Sequence, residues 1–174
     1  MKTRTPLIAL ALLFLCIGAS TYADNIQVGD QIRILLPGEQ ALERPLQVDR
    51  QGNIHVPEVG AIQVAGFTES ELQPLIALRM QSIYRDLKHL KVFVSQKQLL
   101  INVQGYVKKP GEYTLASNAS VQVAIHAAGG LRSGAQMDRV QLLRGGEKQL
   151  FDYKAFLDSG DFSRLPNLQS LDTL

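Results

Sequence analysis

The sequence is short of the residues that most protein chemistry is built from. Its one cysteine, Cys16, falls within the first 23 residues, and there is no tryptophan. If those residues are removed as a leader, no thiol remains, which excludes disulfides, zinc thiolates and a cysteine nucleophile. Charge of neither sign dominates. Residues 1–23 hold Lys2 and Arg4 and no acid, so taking these 2 from the 18 basic residues leaves 16 against 16 acidic ones. A neutral body has no electrostatic footprint for nucleic acid, which needs clustered cations to displace counterions from phosphate. Histidine is scarce too. His55, His89 and His126 fall in a strand, a loop and a helix without a paired spacing, so no metal is expected.

Long hydrophobic runs are missing apart from residues 7–18 (LIALALLFLCIG), which are too short to span a bilayer comfortably. Lys2 and Arg4 precede that run, and Thr21 and Ala23 follow it at the spacing a signal peptidase accepts. Residues 1–23 therefore read as a signal peptide cleaved before Asp24, which directs the mature chain out of the cytoplasm. Phe14 and Leu15 stand before Cys16 where a lipoprotein would carry small residues, which argues against lipidation.

What is present is apolar patterning broken by turns. Hydrophobic residues make up 45% and charged residues 20%, enough to build a core and too little charge for a solvated coil. Gly29 and Asp30 form a turn before a strand with Ile32 and Ile34 on one face. Leu46 and Val48 alternate, residues 49–53 (DRQGN) turn, and Ile54 and Val56 resume, which predicts a hairpin. Ile62 and Val64 make another brief strand. Thr68 then caps a helix, with Glu71 closing a capping box and Phe67 placed to staple onto Leu72. Leu72, Leu75, Ile76, Met80 and Ile83 form its predicted buried face, and Pro74 should distort its start.

Two strands follow at 91–95 and 99–107, the second with Leu99, Ile101 and Val103 inward. A turn at 108–111 (KKPG) opens what reads as a second unit. Its predicted parts are a strand at 113–115 and a helix capped by Asn118 or Ser120 that stops at Gly129 and Gly130. A hairpin across Gly145 and Gly146, a short turn or helix at 153–157 and the start of a strand at 171–174 complete it, and the natural chain is expected to continue beyond.

No catalytic constellation survives inspection. Glu69 and Glu71 lie in a first helical turn, where acids relieve the dipole. Ser117 and Ser120 lack the glycine-flanked elbow of a hydrolase nucleophile, and neither glycine pair begins a phosphate loop. Lys108 and Lys109 read as a solvated turn with some capacity to touch an anionic polymer. No enzyme activity, cofactor or metal is expected.

The motifs in order resemble those of the bacterial polysaccharide biosynthesis/export family, the Wza-like outer-membrane polysaccharide exporters. Residues 28–34 (VGDQIRI) are similar to its opening strand, residues 48–57 (VDRQGNIHVP) with Gly60 to its hairpin, and residues 64–68 (VAGFT) with Glu71 and Leu72 to the start of its helix. Residues 103–107 (VQGYV) and 110–113 (PGEY) resemble the start of a soluble-ligand-binding β-grasp (SLBB) module. Residues 127–131 (AAGGL) resemble the end of its helix, and residues 168–174 its closing strand, cut short.

The resemblance implies an α+β chain with a small β-rich export domain carrying one packed helix at 24–98, followed by an incomplete β-grasp domain at 99–174. It implies a periplasmic, outer-membrane-associated component of capsule or exopolysaccharide export, forming a homo-oligomeric ring or adaptor fed by inner-membrane machinery. The rival is a monomeric saccharide-binding module. The residues expected to carry the motifs are structural: Gly29, Gly52, Gly60, Gly66, Gly105 and Gly111 for bends, Asp30 and Asp49 for turn hydrogen bonds, and Pro57 and Pro110 for chain direction. Thr68, Tyr113, Gly129 and Gly130 complete the set.

Overall fold

A computed structural model describes residues 25–174. The expected signal peptide, its expected cleavage site and Cys16 lie outside the described residues. The fold is α+β, with twelve regular elements in the order β1 (Gln31–Leu35), β2 (Leu46–Gln47), β3 (Asn53–Val56), β4 (Gly60–Gln63), α1 (Glu69–Met80), β5 (Lys91–Gln96), β6 (Gln98–Val103), β7 (Gly111–Ala116), α2 (Val121–Ala127), β8 (Val140–Arg144), β9 (Glu147–Phe151) and α3 (Tyr153–Ser159). Buried side chains fall into two separate clusters. One joins Ile32, Ile34, Val48, Ile54, Ile62 and Val64 to Leu72, Ile76 and Met80. The other joins Ile101 and Val103 to Val121, Ala124, Leu142 and Phe156.

In the first half, β1 is the centre of an antiparallel sheet of order β2-β1-β5, while β3 and β4 form a separate hairpin. The alternation around residues 49–53 predicts a β2–β3 hairpin, but β2 pairs instead with β1, and β3 with β4. The turn itself is closed, because the Asp49 amide donates to the Asn53 carbonyl at 2.8 Å, but the two strands leave it for different sheets.

Helix α1 begins where its cap predicts. The Glu71 carboxylate accepts from both the amide and the hydroxyl of Thr68 at 2.8 Å. Pro74 sits inside the helix, which nonetheless runs unbroken through it. A proline in a helix interior costs about 3 kcal/mol, and burial of a Leu, Ile or Met side chain contributes about 1.5–3 kcal/mol. Leu72, Ile76 and Met80 are all fully buried, so packing outweighs the proline. The predicted face extended one residue too far: α1 ends at Met80, and Ile83 beyond it is 40% exposed.

The Thr68 bonds hold the Glu71 carboxyl below the usual glutamate range. A depressed folded pKa stabilises above the unfolded value and ceases to do so as pH falls through the folded one. Glu71→Gln should therefore melt below the wild type at about pH 6, and the gap in Tm should close towards about pH 3. A gap independent of pH would show that the carboxylate charge is immaterial to the cap.

The second half is a mixed sheet. Hairpin β6–β7 and hairpin β8–β9 are joined by Thr173, which bridges Asn102 in parallel and Leu143 in antiparallel fashion. The strand order is thus β7, β6, the chain end, β8, β9, with the first and last segments parallel at the centre, the arrangement of a β-grasp fold. Helix α2 packs on β6 and β7. Its cap is Ser120, whose hydroxyl accepts from the Val123 amide. Its stop is a Schellman turn, in which the Gly130 amide donates to the Ile125 carbonyl at 2.9 Å.

Candidate functional site

The residues of greatest mutual constraint lie where the two halves meet, and they begin with Gly29 and Asp30. Gly29 has φ +96°, and a β-carbon added there would sit 2.9 Å from the Leu100 nitrogen at the start of β6. Only glycine lets the first half approach β6 so closely. Asp30 is buried, and its carboxylate accepts from the Gln27 amide at 2.9 Å and the Gln98 amide at 3.0 Å. Lys97 adds an ion pair to Asp30 at 3.3 Å. One turn therefore holds the β1 end of the first half and the β6 end of the second.

Three further contacts cross the same junction. The Ser170 hydroxyl donates to the Val28 carbonyl at 2.5 Å and accepts from the Leu100 amide at 3.1 Å. The Gln47 amide group donates to the Thr114 hydroxyl at 2.9 Å, and Arg50 pairs with Glu112 at 2.6 Å. Ser170 precedes a second buried acid. Asp172 receives Arg144 in a two-pronged bond of 2.8 and 2.7 Å and the Gln169 amide at 2.7 Å, while Arg144 also donates to the Asn167 carbonyl at 2.6 Å. The carboxylate raises the pKa of the Arg144 guanidinium. Sequence reasoning missed this pair; its one local signal was a lone acid in an apolar chain end.

The other motif residues serve local geometry. Asp49 accepts from the Gln51 and Asn53 amides at 2.9 and 2.8 Å and lies 3.1 Å from His55 Nε2. Although its slight burial works the other way, these bonds and His55 hold the Asp49 carboxyl below the usual range. Gly52, at φ +83°, leaves room for Gln63 and Ala65, which a β-carbon would meet at 2.6 and 2.7 Å. Pro57 precedes Glu58, a non-glycine residue at φ +64°, and Gly60, Gly66 and Gly105 turn with positive φ. Pro110 leads into β7, where Gly111 pairs with Val103 as an ordinary strand residue without positive φ, unlike the bend expected of it. The Tyr113 hydroxyl donates to the Lys109 carbonyl at 2.6 Å, closing the turn before β7. Gly129 and Gly130 end α2 at positive φ.

At the far end of the second sheet, the loop after β6 and the loop before β8 frame a cleft of roughly 530 Å³. The Arg132 amide donates to the Tyr106 carbonyl at 2.8 Å and the Lys108 amide to the Gly130 carbonyl at 3.0 Å, so the two loops are tied along their backbones. The cleft floor is apolar, with Val103, Leu131 and Leu174, and its rim carries Tyr106, three glutamines and Arg139.

Among the described residues, no group of three or more His, Cys, Asp or Glu side chains is placed to hold a metal ion. No helix among them is long and apolar enough to cross a membrane.

Comparison with known proteins agrees with this two-part layout. Residues 18–97 match the family described as Polysaccharide biosynthesis/export protein, and residues 100–152 match the SLBB domain. The chain is 33% identical to the polysialic acid transport protein KpsD of Escherichia coli over 104 residues, which is 59% of this chain and 19% of that protein. It is 30% identical to the exopolysaccharide production protein ExoF of Rhizobium meliloti (strain 1021) over 124 residues, 63% of this chain and 29% of that one. It is also 27% identical to the EPS I polysaccharide export outer membrane protein EpsA of Ralstonia solanacearum over 115 residues, 65% and 30% of the two chains. The chain thus spans less than a third of the length of these relatives. The chain therefore carries a polysaccharide biosynthesis/export domain followed by an SLBB domain.

Proposed function

We propose that this protein is a component of a capsule or exopolysaccharide export system, acting in the periplasm in association with the outer membrane. It is read as a non-catalytic part, with an export domain at 24–98 and an SLBB domain at 99–174. Copies would assemble into a ring or adaptor that takes polymer from inner-membrane machinery. The observation that carries this reading is the order of the two family matches, export then SLBB, on two cores pinned together at Gly29 and Asp30. The printed names of the relatives, which concern polysialic acid transport, exopolysaccharide production and polysaccharide export, support it.

The surfaces suit repeated association. Strands β2 and β5 are the edges of the first sheet, and β7 and β9 those of the second. On β8 and β9, Leu143 and Leu150 point to one face at 41% and 59% exposure. Neighbouring exposed apolar residues on a sheet face favour burial against another surface.

Deletion of the gene, with polysaccharide measured at the cell surface and in the periplasm, tests the reading. Surface polymer should fall severalfold and return when the intact gene is restored. Normal secretion in the deletion strain would overturn it. The rival, a single-chain saccharide-binding module, draws on the cleft beside Tyr106. Native mass of the purified protein separates the two, since the ring requires a closed oligomer and the rival a monomer.

A further inference from the structure

The cleft at the end of the second sheet has a chemistry that the export reading alone does not demand. Tyr106 stands at its mouth with 66% of its surface exposed. Its backbone is nonetheless fixed, since its carbonyl accepts from Arg132 and its flanking residues close a tight turn, with the Val107 amide donating to the Gly105 carbonyl at 2.9 Å. The ring edge lies over Gly134, where an added β-carbon would come within 4.0 Å of it. An aromatic ring on a fixed backbone with much of its surface open to water offers a platform for something flat and apolar.

The polar groups around it are of one kind. Gln104, Gln136 and Gln141 line the cleft, and each side-chain amide both donates and accepts. Such groups match vicinal hydroxyls, which do the same. Charge adds a sign. The two framing loops, residues 104–110 and 129–139, carry Lys108, Lys109, Arg132 and Arg139 against the single acid Asp138. The rest of the second half is the reverse, with six acids to four cations. Among the described residues, none of Lys108, Lys109 or Arg132 forms an ion pair, and Arg139 meets Asp138 only at 4.0 Å. A nearly neutral domain has thus concentrated cations on the two loops that frame the cleft, with Arg139 lining it.

We propose that this cleft is a binding site for an acidic stretch of saccharide, a uronic-acid-type segment of an exported polymer. One sugar ring lies on Tyr106, its hydroxyls bond to Gln104, Gln136 and Gln141, and its carboxylate faces Arg139, with the other cations carried on the framing loops. The site is open and shallow, as it must be if a moving chain is to be guided without being held. The proposal rests on the export reading for its choice of polymer, and it adds a substrate class and a place.

The test is calorimetric or NMR titration of the purified protein with hexagalacturonate and with the neutral maltohexaose, at about 0.15 M salt so that loose electrostatics are screened. Hexagalacturonate should bind about tenfold more tightly than maltohexaose. Tyr106→Ala and Arg139→Gln should each weaken it about fivefold or more, whereas Lys154→Gln on α3 should leave it unchanged. Equal affinity for the two sugars, no binding, or equal loss in the Lys154→Gln variant would overturn the assignment. So would binding to phosphatidylglycerol vesicles that survives Tyr106→Ala, which would mark the patch as a membrane contact. Failure here with defective secretion in the deletion strain removes the cleft alone. Binding here with normal secretion removes the export reading and leaves the site.

Discussion

Replacing Asp30 with alanine is expected to destabilise the folded chain by about 3–5 kcal/mol and to separate the unfolding of its two halves. The size follows from what the buried carboxylate does. It is the acceptor for two backbone amides, Gln27 on one side and Gln98 on the other, and alanine leaves both without it. Each half-buried bond lost with its acceptor costs about 1–3 kcal/mol, and the loss of the Lys97 contact adds to this. The separation follows from position, because Gln98 belongs to β6 while Gln27 precedes β1. Urea unfolding followed by circular dichroism should be a single transition in the wild type and two transitions in the variant. Gly29→Ala should act in the same direction, since its β-carbon would press on the Leu100 nitrogen at 2.9 Å from a backbone at φ +96°. A loss under about 1 kcal/mol with one transition retained would show that the junction is not the coupling point.

The next largest effect is expected at Asp172, which is fully buried. Asp172→Ala removes the acceptor for Arg144 Nε, Arg144 Nη2 and the Gln169 amide together. Removing one partner of a buried pair costs about 3–5 kcal/mol, and because Arg144 is 37% exposed and can turn to water the loss should be nearer 2–4 kcal/mol. Hydrogen exchange will locate it. The amides of Asn102, Gln104 and Leu143, which donate to residues 172–174, should lose protection, while the amides of the β3–β4 hairpin should keep theirs. The double variant Asp172→Ala with Arg144→Met should be less destabilised than the sum of the single changes, as expected when one charge no longer lacks its partner. Additive losses would mean that the two side chains do not depend on each other.

The sequence made these features legible to different degrees, according to how local their causes are. The α1 cap, the Schellman stop at Gly129 and Gly130 and the hairpin across Gly145 and Gly146 were all readable, because each depends on residues within six positions. Strand partners were not. Alternation at Leu46 and Val48 and again at Ile54 and Val56 says that both segments are half-buried, but nothing in it says that β2 goes to β1 and β3 to β4. Ile83 kept the helical spacing after the helix had ended, so periodicity alone overran the boundary. Gly29 and Asp30 were readable as a turn, yet their contact with Leu100 and Gln98 depends on packing between the two halves. The cleft was the least legible, since its walls come from loops after β6 and before β8 and from Leu174.

Thr173 carries a last consequence, and it concerns the timing of synthesis. The two hairpins of the second sheet share no ladder with each other and are sewn together through residues 171–174, among which Thr173 bridges to both. A nascent chain that has not yet released residues 172–174 therefore holds β6 and β8 with unpaired inner edges, each a template for a wrong partner. The β1–β5 sheet, the β3–β4 hairpin and α1 draw their core entirely from residues 26–92 and can consolidate much earlier. A ribosome-stalled series should show protease resistance arriving in two steps, with the second waiting for residues 172–174 to emerge.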